Sequence, residues 1–244
     1  MAGLASTYQS QGRWKEAEWL AVQVTEVRKQ VLGSWHPDTL TSMANLASTY
    51  WNQGRWKEAE ALEVQVMETR QQVLGPEHPI TLTSMANLAL TYRNQGQLKE
   101  AERLGVQVME TSKQVLGSDH PDTLASMANL ASTYWSQGKY KEAEALFIQV
   151  LDTQKQVLGL EHLDTLASMA DLASTCQNQG QWKAAEQLFI QVMESQKRVL
   201  GAEHTNTLTT MANLASVLLR QGQWQQAENY TYEWLRQEKM VWVR

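Results

Sequence analysis

Residues 36–77 read HPDTLTSMANLASTYWNQGRWKEAEALEVQVMETRQQVLGPE, and residue 78 opens the same phrase again, HPITLTSMANLALTYRNQGQLKEAERL. His36, His78, His120, His162 and His204 are each 42 residues apart, as are Gly12, Gly54, Gly96, Gly138, Gly180 and Gly222. A second glycine register holds Gly33, Gly75, Gly117, Gly159 and Gly201. Self-similarity at a fixed period of this length marks supersecondary units stacked in line, each contacting chiefly its neighbours. The period therefore predicts one repeat array over 1–244, with a partial repeat at 1–35, repeats at 36–77, 78–119, 120–161 and 162–203, and a terminal repeat at 204–244.

Within the unit, Leu40, Met43, Leu46, Ala47 and Tyr50 fall at three- and four-residue spacings, the apolar stripe of an amphipathic helix. Pro37 suits a first helical turn, where its missing N–H has no intrahelical role, and Asp38 complements the positive end of the helix dipole. Gly54 closes this helix A. A longer helix B runs from Trp56 to Leu74, with Ala59, Leu62, Val66 and Val73 on its stripe and Gly75 as its stop. Ala47 and Ala59 and their equivalents are small residues on otherwise apolar stripes, which lets the two helices of a pair approach closely.

The balance of 21 basic and 26 acidic residues is mildly acidic, with the signs interspersed and no basic run, so nucleic acid and anionic membrane are not expected partners. No apolar run approaches the roughly 18 residues of a membrane span. A single cysteine, Cys176, rules out an intramolecular disulfide framework and points to a reducing, cytoplasmic setting. It stands where other units have Tyr50, Tyr92 and Tyr134, a packing position.

The order Leu46, Ala47, Tyr50, Gly54, Trp56, Ala59 resembles the tetratricopeptide repeat, whose usual unit is about 34 residues. The longer unit and its Leu-Gly-x-x-His-Pro-Asp-Thr junction are similar to the repeats of kinesin light chains and of fungal NOD-like receptors. The near-identity of successive units is more similar to the receptor arrays. The resemblance covers essentially the whole chain. It implies an all-α tetratricopeptide-repeat solenoid, about five and a half helical pairs in a right-handed superhelix of helix-turn-helix units, with helix A lining a concave face. The chain opens at Met1, Ala2 and Gly3 inside a helix A register and ends on Met240, Val241, Trp242 and Val243 without the Leu-Gly stop. We expect from this a terminal array of a larger protein, with exposed terminal repeats open to self-association.

No metal or cofactor is expected. Histidines from successive packed helices, roughly 8–10 Å apart, cannot converge within about 2 Å of one zinc ion, so they are expected to cap the helix A junctions. Glu60, Glu102, Glu144, Glu186 and Glu228 recur because the unit recurs, and Lys57, Lys99, Lys141 and Lys183 mark a solvated helix face. With no nucleophile paired to a histidine and no phosphate-cradling loop, enzymatic activity is not expected.

The expected site is a peptide-binding groove on helix A. Asn45, Asn87, Asn129 and Asn213 occupy a position from which tetratricopeptide repeats contact the backbone of a bound peptide, and an amide offers both donor and acceptor. Asp171 replaces asparagine in one unit and Gly3 in another; ties between repeats would equally account for the register. One position varies widely in chemistry while its neighbours change less: Gln9, Trp51, Arg93, Trp135, Gln177 and Leu219. Such variation does not suit a close-packed core, and Trp and Arg are enriched where partners bind tightly. The flanking registers Ser48, Leu90 and Ser132, and Asn52 and Asn94, complete the surface. Helix A supplies only Arg93 and Arg220 as cations, which disfavours a clamp for acidic carboxyl termini. Trp14, Trp56, Trp182 and Trp224 are expected to pack at the start of helix B. A non-catalytic scaffold binding a protein or peptide follows, in the manner of a receptor's sensor array, with self-assembly or a cargo adaptor similar to kinesin light chains as the alternatives.

Overall fold

The computed structural model describes residues 7, 8 and 11–242, and of residues 233 and 236–242 the backbone alone. Among the described residues the chain is helical throughout, and its helices alternate between 16 residues (helix A) and 18 or 19 residues (helix B). They are α1 (Trp14–Leu32), α2 (Pro37–Asn52), α3 (Trp56–Leu74), α4 (Pro79–Asn94), α5 (Leu98–Leu116), α6 (Pro121–Ser136), α7 (Tyr140–Val157), α8 (Leu163–Asn178), α9 (Trp182–Val199), α10 (Thr205–Arg220) and α11 (Trp224–Trp242). Gly3, Gln9 and Val243, which belong to the chain ends and the variable register, lie outside the described residues.

The junctions follow from their residues. Histidine precedes each helix A, in extended conformation at His36, His78, His162 and His204, and its Nδ1 accepts from the backbone N–H two residues on: Asp38 for His36, Ile80 for His78, Asp122 for His120, Asp164 for His162 and Asn206 for His204. One orphan donor of each helix A is thereby satisfied. Gly54 and Gly75, at φ 73° and 91°, make the A–B turn and the exit from helix B in the left-handed region, where a side chain would be strained.

The chain divides into two compact units, residues 1–129 and 130–244. In the first, Leu40, Met43 and Val66 form one apolar cluster, and Leu82, Met85, Leu88, Ala89, Leu104 and Val108 form the next. Ala59 and Ala101 are fully buried where helices A and B cross. In the second unit Phe147, Phe189, Leu166, Met169, Met211 and Leu214 are fully buried, and Cys176 packs in its tyrosine register with burial pushing its thiol pKa up. Within the units the A helices pack on the B helices before and after them: α2 against α1 and α3, α4 against α3 and α5, α8 against α7 and α9, and α10 against α9 and α11.

A glutamine ladder ties successive repeats together. The side-chain amides of Gln53, Gln95, Gln179 and Gln221 each donate to a backbone carbonyl at the start of the preceding helix B, that of Trp14, Trp56, Tyr140 and Trp182. Each also donates to a helix B carboxylate, Glu18, Glu60, Glu144 or Glu186, at 2.7–2.9 Å. Hydrogen bonds to ionised acceptors are the stronger kind, which gives the recurrent glutamates a structural role.

The tryptophans that open helix B do not all pack. Trp56 is 38% exposed and Trp224 is 68% exposed, because the first residue of helix B lies beyond the end of the apolar stripe. Lys57, Lys99, Lys141 and Lys183 are exposed, as their spacing predicts.

Candidate functional site

The first unit contains a cleft of about 180 Å³ walled by two successive A helices and floored by the B helix between them. Ala44, Ser48 and Trp51 come from α2; Glu63, Val66 and Arg70 from α3; Ser84, Asn87 and Leu90 from α4. The shape has a local cause. Position 63 is alanine, glycine, phenylalanine or threonine in other units (Ala21, Gly105, Phe147, Phe189, Thr231), and the Phe147 and Phe189 rings are buried at the corresponding place. Glutamate cannot pack there as an aromatic ring does. A second cleft of about 180 Å³ follows in the same unit between α4 and α6, with Asn87, Ser112, Ser126 and Asn129 among its lining.

Glu63 is 8% exposed and its Oε2 has no hydrogen-bond partner. Burial pushes its carboxyl pKa up to about 7; the nearby Thr91 hydroxyl opposes this and Glu60 adds to it. Arg70 is 9% exposed, its Nη1 donates to Ser84 Oγ at 2.8 Å, and burial lowers its pKa. The Arg70–Ser84 bond sets the antiparallel register of α3 on α4, which brings Glu63 opposite Thr91, next to Leu90. Trp51 Nε1 is buried and also has no acceptor. Buried donors and acceptors are ordinarily partnered, and each exception calls for an account.

Of the residues expected on the binding surface, Ser48, Trp51, Asn87 and Leu90 converge on this cleft. Asn129 joins the neighbouring one. Asn45 is exposed on α2, Arg93 and Asn94 are half-buried at the end of α4, and Asn45 and Arg93 hold interactions of their own. The Asn52 amide is committed to the Ser48 carbonyl at 2.8 Å, which removes one donor from the expected surface. In the second unit Ser132 is half-buried, and Trp135 is exposed with its ring edge-to-face on Tyr140, centroids 6.4 Å apart. Gln177 is half-buried and its amide reaches Ser216 Oγ at 3.5 Å; Asp171 and Leu219 are exposed and Asn213 is half-buried. The helix A positions are thus divided between the two units.

Glu63 and Arg70 lie outside the expected surface, which helix A alone supplies, helix B being expected to provide a packing stripe and a solvated lysine face. The signal is present: register 63 runs Ala21, Glu63, Gly105, Phe147, Phe189, Thr231, and register 70 runs Arg28, Arg70, Ser112, Gln154, Gln196, Glu238. The second register is a structural tie in more than one repeat, since Arg28 Nη1 donates to Ser42 Oγ and Gln196 Oε1 accepts from Thr210. Glu63 has no such counterpart. Among the described residues no cluster of histidine, cysteine and carboxylate groups could hold a metal ion.

A tetratricopeptide repeat profile matches residues 1–70, 45–114, 87–156, 125–194 and 164–233. The chain belongs to the tetratricopeptide-repeat family. Its fold is accordingly an all-α array of tetratricopeptide repeats. Among solved structures, it is similar to the nearly identical TPR-like repeats of a candidate kinesin light chain from Podosopora anserina. One structure, a form of those repeats with a single substitution, is 37% identical over 82% of this chain and 94% of that one, with a TM-score of 0.72. A second, without the substitution, is 38% identical over 81% and 93%, with a TM-score of 0.69. BtubC (BKLC) from P. vanneervenii shares the fold at 16% identity, over 93% of this chain and 92% of that one, with a TM-score of 0.79. No curated protein sequence matches the chain.

Proposed function

We propose that this tetratricopeptide-repeat array is a non-catalytic scaffold that takes a peptide or an extended protein segment between successive A helices. The observation that carries this reading is the cleft over α3, where four residues of the expected surface meet a buried, unpartnered carboxylate oxygen and a buried, unpartnered indole N–H. Preformed polar groups without partners, in a recess that also offers Ala44, Val66 and Leu90 as apolar wall, are what a ligand's backbone or side chain would satisfy. NprR, whose structure was solved with its cognate peptide NprX, shares the fold at 17% identity, which supports the fold's suitability for such a role. Among the described residues no helix is long and apolar enough to cross a membrane, and a cytoplasmic location is part of this proposal.

In its finer form, the reading makes the array the ligand-sensing repeats of a larger signalling receptor of the fungal NOD-like, innate-immune kind. The near-identity of successive units supports it. A cargo adaptor is the second reading, supported by the Podosopora repeats' assignment to a kinesin light chain. The reading frame upstream of the array decides between them: a nucleotide-binding domain there supports the receptor.

The groove itself is tested with dodecapeptides selected from a displayed library on the intact protein. Trp51→Ala is expected to weaken their binding at least tenfold, about 1.4 kcal/mol. Selected peptides that bind the Trp51→Ala protein with unchanged affinity, and are not displaced by Asn87→Ala, would place binding elsewhere and overturn the groove.

A further inference from the structure

Glu63 stands out among the buried ionisable groups of the described chain: Arg70 donates to a serine hydroxyl on the next helix A, as the half-buried Arg28 does, whereas Glu63 is more than nine-tenths buried, lines a cleft, and keeps Oε2 without a hydrogen-bond partner, the Thr91 hydroxyl being the polar group that approaches its carboxyl. Replacing it with phenylalanine, as its register already does at Phe147 and Phe189, would close the space, so the cleft depends on the side chain that carries the orphan oxygen.

We propose that the cleft recognises a peptide segment carrying one basic side chain, whose ammonium or guanidinium group pairs with the Glu63 carboxylate while the Trp51 indole N–H donates to a backbone carbonyl of the segment. This rests on the groove reading above and specifies its ligand. Charge complementarity selects the occupant: the unpartnered group is an acid, and a buried charge is stabilised only by a paired, hydrogen-bonded counter-charge. The other charged groups near Glu63 limit what can enter. On α3 itself, Glu60 lies one turn before Glu63, and Arg70 lies two turns after it, about 10 Å along the axis. From α2 the lining is Ala44, Ser48 and Trp51, all uncharged. From α4 come Ser84, Asn87, Leu90 and Thr91, with Tyr92 beyond them, its pKa raised first by burial and then by Glu60, with Glu63 the smallest contributor. A lone cation is therefore welcome at the Glu63 end, and a second one is repelled at the Arg70 end. The segment bears a single lysine or arginine followed toward Arg70 by a neutral or acidic residue, in contrast to a basic run.

The free carboxyl is half-protonated near neutrality, so cation binding expels its proton. Fluorescence anisotropy with nonapeptides of one neutral framework, bearing lysine, norleucine or two lysines at the centre, tests the proposal on the whole chain. The lysine peptide is expected to bind at least tenfold tighter than the norleucine peptide at pH 8, and tighter than the double-lysine peptide. Its affinity is expected to rise about tenfold from pH 6 to pH 8.5 as Glu63 ionises. Glu63→Gln keeps the volume and is expected to erase both the preference and the pH dependence while leaving norleucine binding in place. Glu63→Phe, which installs the ring that the fold carries at Phe147 and Phe189, is expected to abolish binding. Equal affinity for lysine and norleucine, or a lysine preference that survives in Glu63→Gln, overturns the proposal. Charge-indifferent binding that Trp51→Ala removes overturns it while leaving the groove intact. No binding by any of the peptides at millimolar concentration overturns both.

Discussion

Repeats 36–77 and 162–203 share a backbone plan and differ in what they put at its centre. In the later repeat Phe189 is completely buried and Gln196 accepts from the Thr210 hydroxyl at 2.8 Å. In the earlier one the same two registers hold Glu63 and Arg70, and a cleft of about 180 Å³ stands beside them. The later repeat gains packing, since a buried aromatic ring contributes several kcal/mol. The earlier repeat forgoes it and holds a carboxyl that burial drives toward its neutral form. Repeat arrays tolerate such an exception because stability is close to a sum over units and their interfaces, so one weak unit is carried by its neighbours.

The comparison breaks most visibly if the filled repeat is emptied. Phe189→Ala is expected to lower stability by roughly 3–5 kcal/mol, the cost of a large cavity in a packed interior. Hydrogen exchange should locate the loss in α8, α9 and α10, whose helices pack on one another. A loss below about 1 kcal/mol would show that the second unit collapses around the gap and that filling register 63 matters little. The converse change acts in the earlier repeat. Glu63 holds a proton in the folded chain over a range, from its ordinary carboxyl value of 4.5 up to about 7, in which the unfolded chain has lost it. Stability therefore falls as pH rises through that window. Glu63→Gln removes the dependence, so its advantage over the native protein is expected to grow from near zero below pH 4.5 to about 3 kcal/mol above pH 7. Thermal melts of both proteins at pH 4.5, 6 and 8 measure it; parallel curves would show that Glu63 is solvated in solution.

The plan that the two repeats share is legible in the sequence; the contrast at their centres is not. The helices were legible because period and punctuation coincide: the stripe from Leu40 to Tyr50 is closed by Gly54, and Trp56 to Leu74 by Gly75. The histidine caps followed from position. Trp51 was legible as surface because its register varies in chemistry more than its neighbours do, Ser48 and Leu90 because they flank that register, and Asn87 because its amide recurs where tetratricopeptide repeats meet a peptide backbone. Glu63 was not, because its neighbours on helix B, Leu62 and Val66, advertise a core, and whether a helix B side chain reaches the space between two A helices depends on how neighbouring repeats sit together. The glutamine ladder escaped for the same reason. Gln53 adjoins its own turn in sequence, and only the stacking places it on Trp14 and Glu18, about a full repeat earlier.

The smallest effect separates the two repeats at their entrances. Pro37 begins α2 and Pro79 begins α4, whereas Leu163 begins α8. Each is preceded by a histidine cap in nearly identical conformation, φ −66° and ψ 137° at His36 and φ −66° and ψ 140° at His162. That extended backbone is the one a following proline demands, and the first helical residue already has the φ that a proline ring imposes. Leu163 is half exposed, so little packing is lost on its removal. Leu163→Pro should therefore stabilise the repeat by about 0.4–1 kcal/mol, through the conformations it denies to the unfolded chain. Denaturant midpoints of the native and substituted proteins give the sign directly. A lower midpoint would mean that Leu163 makes a contact worth more than that entropy, and that the two repeats differ at their entrances as well as at their centres.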